Sequence, residues 1–272
     1  MTELQDNRLV RTFAELRAAG GKTLLPFITA GFPDLETTEA LLKDFESRGV
    51  RVCELGIPYS DPIADGPVIQ ASYTDALAHG ITSEKIFGMV RRYRAANGRL
   101  ALVAMVSYSI VYRHGVEQYL KDAAAAGFDG LIVPDLPLDE AGTLEPLAAL
   151  HGLANVMLIA PTTPPDRRLA IARHCRGFCY MISVAGITGE RDRLPEATIA
   201  GVAELRKHTD VPVCVGFGIS KPQMVRTVCE VADGAIVGSA IVHRIADHKN
   251  LPRKKLVRQI GDFVGEFLAP VL

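Results

Sequence analysis

Leu100-Ala101-Leu102-Val103-Ala104-Met105-Val106, a charged segment Gly115–Gly127, then Gly130-Leu131-Ile132-Val133-Pro134 make one unit of a repeated pattern. An unbroken aliphatic run without polar alternation is a strand covered on both faces, which is how parallel sheets are built. A helical segment between two such runs is the crossover that parallel pairing needs. Six more runs extend the rhythm: Leu24–Thr29, Arg51–Gly56, Asn155–Ile159, Phe178–Ser183, Val211–Gly216 and Gly234–Gly238. Eight units predict an α/β fold of the (β/α)8 barrel kind rather than a doubly wound sheet of five or six strands. No linker or composition break divides the 272 residues, so one barrel domain spanning 1–272 is expected.

Helix signals fill the intervals. Pro33-Asp34 opens a helix to Gly49, and Thr82-Ser83-Glu84 caps one ending near Asn97-Gly98. Leu138–Gly152, Pro165–Arg176, Pro195–His208, Ser220–Ala232 and Pro252–Leu268 follow. Leu9, Phe13 and Leu16 at helical spacing add a helix before the first strand, placed to plug the barrel floor.

Composition narrows the function classes. Hydrophobic residues make up 48% and the net charge is -1, so no global field draws a nucleic acid or an anionic membrane. The five cysteines, Cys53, Cys175, Cys179, Cys214 and Cys229, form no C-x-x-C pair and read as reduced core thiols rather than metal ligands. The polar start and the absence of a spanning run predict a cytoplasmic chain.

Barrel enzymes work at the C-terminal ends of their strands. After strands seven and eight stand Gly216-Phe217-Gly218-Ile219-Ser220 and Gly238-Ser239-Ala240-Ile241. Glycines there admit a ligand close to the backbone, and helix starts at Ser220 and Ser239 favour a phosphate. The segment Ser239–Ala246 has the length of the short phosphate-site helix. The same residues also read as tight turns with capping serines. No nucleotide-binding glycine pattern occurs.

Glu54 alternates with Cys53 and Leu55, so it points into the barrel near its top. Loss of water there raises its pKa and makes it a proton donor, unless a structural partner holds it. Asp65, in the proline-stiffened loop Pro58–Pro67, offers an acceptor for a substrate N–H; Asp65-Gly66 is equally an ordinary turn. Residues 183–193 combine glycines with charges, as a closing lid or a surface loop would.

Several of these stretches coincide with one family. Leu25–Gly31, Glu54–Pro67, Leu131–Pro137, Gly216–Ser220 and Gly238–Val242 closely resemble the tryptophan synthase α subunits, from about residue 9 to the C-terminus. The resemblance implies retro-aldol cleavage of indole-3-glycerol phosphate to indole and glyceraldehyde 3-phosphate. It implies no metal or organic cofactor in this chain. It also implies a PLP-dependent β subunit that receives the indole, in an α2β2 tetramer. Glu54 and Asp65 match the family's catalytic carboxylates. Gly189, Gly218, Gly238 and Ser239 match its phosphate-binding residues. Phe27, Ile69, Met105, Ile132, Tyr180, Thr188, Phe217 and Ile236 would line the indole and glycerol pocket. Tyr108-Ser109-Ile110 departs from the Tyr-Asn-Pro run common at the β-subunit contact, and Val184 replaces a common lid arginine. Competing readings are a lyase that works without a β partner, a non-catalytic binding barrel, and a different phosphosugar lyase or isomerase.

Overall fold

The computed structural model describes residues 4, 6–62, 65–183, 195–216 and 218–271. Its strands are β1 (Thr23–Thr29), β2 (Val52–Gly56), β3 (Ala101–Met105), β4 (Gly130–Ile132), β5 (Ala154–Val156), β6 (Leu158–Ile159), β7 (Cys179–Ile182), β8 (Val213–Gly216) and β9 (Gly234–Val237). All pair in parallel, in the order β5-β4-β3-β2-β1-β9-β8-β7-β6. The two outer members of that order are halves of one aliphatic run, divided at Met157. β5 pairs with β4 and β6 with β7, so the ring closes along the fifth barrel strand itself. All eight expected runs therefore become barrel strands, the fifth in two pieces.

The helices are α1 (Arg8–Ala18), α2 (Leu35–Ser47), α3 (Pro67–Ala78), α4 (Ser83–Ala95), α5 (Tyr108–His114), α6 (Val116–Ala126), α7 (Leu144–Leu150), α8 (Pro165–His174), α9 (Glu196–Arg206), α10 (Pro222–Val231), α11 (Ser239–His248) and α12 (Arg253–Leu268). Asp34 and Thr82 cap α2 and α4, accepting from the amides of Thr37 at 2.6 Å and Lys85 at 3.3 Å. The expected helix over 138–152 is broken: Leu138–Glu140 is a single 3-10 turn and α7 starts at Leu144. Pro146 explains the break, since its ring bars a helix from running on through the residue four positions earlier, Gly142. α3 and α5 were not expected from the sequence.

The predicted floor plug is present. Leu9 of α1 is fully buried, and a Cβ on Gly177 would lie 2.6 Å from its Cδ2. Asn7 Nδ2 donates to the carbonyls of Asp129 and Gly152, each at 2.7 Å, and Asn7 Oδ1 caps α1. Asp129 gathers the floor's charges, accepting from Arg8 at 2.6 Å, from Arg94 at 2.8 Å and from the Leu102 amide at 2.8 Å. α1 thus closes the floor at the N-terminal ends of the strands, opposite the end where the post-strand loops gather.

Candidate active site

Glu54 sits in the middle of β2 between Phe27 of β1 and Val103 of β3, with no exposed surface. Neither carboxyl oxygen has a hydrogen-bond partner among the described residues, so no structural partner among them holds this side chain. Burial alone pushes its pKa well above the usual carboxylate range, favouring the protonated form.

Asp65 is delivered to the mouth by the start of α3. Gly66 and Pro67 begin that helix, and Gln70 Nε2 clamps the preceding loop by donating to the carbonyls of Pro62 at 3.1 Å and Asp65 at 2.8 Å. The Asp65 carboxyl is thus fixed through its own backbone. Half-buried, it is pushed up to about 6 by desolvation. Ile63 and Ala64 of this loop lie outside the described residues.

Two buried tyrosines come from different walls of the barrel. Tyr180 on β7 lies over Gly216 of β8, where an added Cβ would be 2.7 Å from its Cζ. Tyr73 on α3 reaches over Gly56, where a Cβ would be 2.6 Å from its hydroxyl. Burial, reinforced by the charges of Glu54 and Asp65, holds both phenols well above their usual pKa. Tyr180 was anticipated from the sequence and Tyr73 was not. Had α3 been foreseen, Ile69 and Tyr73 at i and i+4 would have marked its barrel-facing side.

The other anticipated pocket residues fall in two groups. Phe27 connects the reacting end to the strand-eight loop. Its ring edge is 2.9 Å from a Cβ on Gly56, and its own Cβ is 3.4 Å from one on Gly238. Ile69, Ile132 and Ile236 are buried, with Ile132 paired beside Met105. Met105 and Asp65 line a cavity of about 330 Å³ at the mouth. Thr188, Gly189 and Phe217 lie outside the described residues, as do 184–193 of the expected lid.

At the end where the sequence places a phosphate, Gly218 is exposed with φ +75°, and Gly238 and Ser239 open α11. The serines are not caps, which corrects the expectation. Lys221 is the N-cap of α10, and Pro222 pre-sets its first turn without a side-chain bond. Gly238 is the N-cap of α11, with Ser239 inside the helix. The Ser220 hydroxyl is left buried and unpartnered beside these loops. The Ile241 amide already donates to the Gly238 carbonyl at 2.9 Å, which leaves the amides ahead of it at the start of α11 as the ones an anion would meet.

A buried carboxyl raised well above its usual pKa, an ionisable one at the mouth and an amide-lined strand-eight loop can together move a proton and hold a phosphate ester. Residues 13–267 match the sequence model of the family described as "Tryptophan synthase alpha chain". The chain belongs to this family. The tryptophan synthase alpha chain of Chloroflexus aggregans is 46% identical over 239 residues, covering 88% of this chain and 90% of that one. That of Rhodopirellula baltica is 43% identical, covering 97% and 96%. The crystal structure of the tryptophan synthase alpha chain from Legionella pneumophila superposes with a TM-score of 0.86 at 32% identity, covering 97% of each chain.

Where the chain departs from the Tyr-Asn-Pro run common in its family, the structure shows what the replacement does. Ser109 is bonded to the Ser107 hydroxyl at 2.9 Å, which donates to Asp135 at 2.6 Å; the Tyr108 amide also donates to Asp135, at 2.8 Å. The loops after β3 and β4 are thereby tied together at the mouth. Among the described residues no cluster of His, Cys, Asp and Glu is arranged to hold a metal, and no helix is long and apolar enough to cross a membrane.

Proposed function

We propose that this chain cleaves indole-3-glycerol phosphate to indole and glyceraldehyde 3-phosphate in tryptophan biosynthesis. The observation that carries the reading is a fully buried carboxyl, Glu54, with no hydrogen-bond partner among the described residues, together with a half-buried one, Asp65, at the mouth. Burial pushes Glu54 well above the usual carboxylate range and Asp65 up to about 6, so the protonated form is favoured at Glu54 and the anion is more accessible at Asp65.

In this reaction Glu54 protonates C3 of the indole ring, creating an iminium-like nitrogen. The Asp65 carboxylate accepts the hydrogen bond from that N–H and stabilises the positive charge. The glycerol hydroxyl next to the ring then loses its proton to Glu54, directly or by relay. The C–C bond breaks, the aldehyde forms, and the electron pair returns to the ring, which regains aromaticity. Atoms and charges balance, with one proton delivered to carbon and one recovered from oxygen. Phe27, Ile69, Met105, Ile132, Tyr180, Thr188, Phe217 and Ile236 enclose the ring and glycerol. Gly189, Gly218, Gly238 and Ser239 hold the phosphate through backbone amides and the start of α11.

The chain uses no metal or organic cofactor of its own and acts in the cytoplasm. Indole passes to a PLP-dependent β subunit in an α2β2 assembly. The test is indole release from indole-3-glycerol phosphate, with and without added β subunit. Release by the chain, stimulated by β, is the expected outcome. No release in either condition would overturn the reading.

A further inference from the structure

Tyr73 and Glu54 share one column of the barrel wall. Glu54 and Gly56 alternate on β2, so both face inward, with Gly56 about 6–7 Å nearer the mouth. The Tyr73 hydroxyl fills the space above Gly56, 2.6 Å from where a Cβ would stand, and a side chain there would displace it. The helix that carries this phenol is fixed beside it. Ser72 donates to the Ile69 carbonyl at 2.7 Å and is bonded at 2.6 Å to the hydroxyl of Thr29, the last residue of β1. Tyr180, the other phenol described above, stands over Gly216 on β8, three strands round the sheet from β2.

The proposed substrate has to run past this hydroxyl. Its phosphate belongs at the start of α11, beyond β9, and its ring above Glu54 on β2. The strand order is β2-β1-β9, so the three-carbon chain between them crosses the end of β1. α3 covers that crossing, because it packs against both β1 and α11. The carbon that carries the reacting hydroxyl is the first atom of the chain on the mouth side of indole C3. That is the level of the Tyr73 hydroxyl, one alternation step above Glu54. Tyr73 is buried, and its hydroxyl forms no hydrogen bond with any described residue, so both its proton and its lone pairs are open to a ligand.

We infer that Tyr73 is a further catalytic residue, whose hydroxyl bonds the glycerol hydroxyl next to the indole ring and relays its proton to Glu54. This role rests on the proposed function, since only that reaction brings such a hydroxyl to the site. Once C3 is protonated, Glu54 is a carboxylate. The phenol passes its own proton to that carboxylate while its oxygen takes the proton of the glycerol hydroxyl. The C–O bond becomes C=O, the C–C bond breaks, and its electron pair returns to the ring. The phenol ends neutral, as it began, and Glu54 recovers the proton it gave. Burial and the charges of Asp65 and Glu54 hold the phenol well above its usual pKa, so it does not rest as a phenolate between turnovers.

The test compares Tyr73→Phe with wild type, as full-length chains with and without added β subunit. The change removes one oxygen that bonds no described residue and keeps the ring, so the fold is preserved. Turnover of indole-3-glycerol phosphate should fall about 100-fold, the scale of a lost acid–base group, with KM within about threefold. The comparison ligand is 3-indolylpropyl phosphate, which has the ring and the phosphate but no glycerol hydroxyl. Its Kd should agree between the two proteins within about twofold, which also shows the variant to be folded. A kcat within about threefold of wild type would overturn the relay. So would a loss of affinity for the propyl phosphate in step with kcat, because a hydroxyl that only shapes the pocket affects both ligands. No indole release by wild type in either condition would sink the proposed function itself, whereas an active wild type with an equally active variant sinks the relay alone.

Discussion

Replacing Glu54 with Gln separates the two consequences of burying an uncompensated carboxyl. Glu54 has no exposed surface and no partner on either oxygen, so a neutral amide of the same shape replaces a neutral acid with little change in packing. Its folded-state pKa is raised, so its contribution to stability is complete below its unfolded value near 4.5 and is lost as pH rises through the folded value. Across that window the unfolded chain releases one proton that the folded chain keeps. Wild type should therefore lose about 1.4 kcal/mol of stability per pH unit relative to Glu54→Gln. For a chain of this size that is about 3–5 °C of Tm per pH unit. Thermal melts of both proteins from pH 4 to 8 should show near-equal Tm at the acid end and a variant increasingly more stable above about pH 5. Turnover should fall by about 10²–10⁴-fold, because the amide has no proton to give. A Tm difference that does not change with pH would mean Glu54 is ionised and paired, and retention of full activity would remove it from the chemistry.

Other groups give separate tests. Asp65 is raised from 3.8 to about 6, so its stabilising share is present below pH 4 and lost as pH rises through 6. Activity should run the opposite way, with kcat/KM rising through about pH 6 as the carboxylate forms; Asp65→Asn should lose both that limb and about 10²-fold in rate. Asp129→Ala leaves the buried Arg94 guanidinium without its carboxylate and should cost about 3–5 kcal/mol, read as a Tm drop of roughly 10 °C; a change under 1 kcal/mol would refute the role given to this floor network. Gly216→Ala puts a methyl 2.7 Å from Tyr180 Cζ, and a rigid ring cannot bend away as a flexible chain end would. It should cost about 1–3 kcal/mol and lower kcat by moving Tyr180; an unchanged kcat would show that the ring's position does not matter.

The barrel was readable because its strands are uninterrupted aliphatic runs, a pattern that two-sided burial forces on sequence. The inward direction of Glu54 followed from strand alternation alone. What escaped had competing signals. α3 buries Ile69, Ser72, Tyr73 and Ala76, but it follows a proline-rich loop and carries apolar residues around much of its circumference, so no stripe stood out. With α3 unseen, Tyr73 could not be placed. Ser220 and Ser239 looked like caps because serine before a helical pattern usually is one; Pro222 and Gly238 made the caps unnecessary. Asn155 sits inside an aliphatic run and lines the mouth cavity with its Nδ2 unpartnered among the described residues; an asparagine satisfied by its neighbours would look the same in the sequence. That distinction belongs to three-dimensional hydrogen bonding and has no local signature.

The floor plug also constrains how the chain is made. Asn7 and Leu9 leave the ribosome before any barrel strand, yet the carbonyls that Asn7 anchors to belong to Asp129 and Gly152, 122 and 145 residues later. Until the segment through β5 has emerged, α1 is an amphipathic helix with nothing beneath it. Its docking thus reports completion of more than half the barrel, and a chain cut short before Gly152 carries an open floor with exposed apolar surface. Quality control that recognises exposed hydrophobic helices would find its handle in α1 of every unfinished copy.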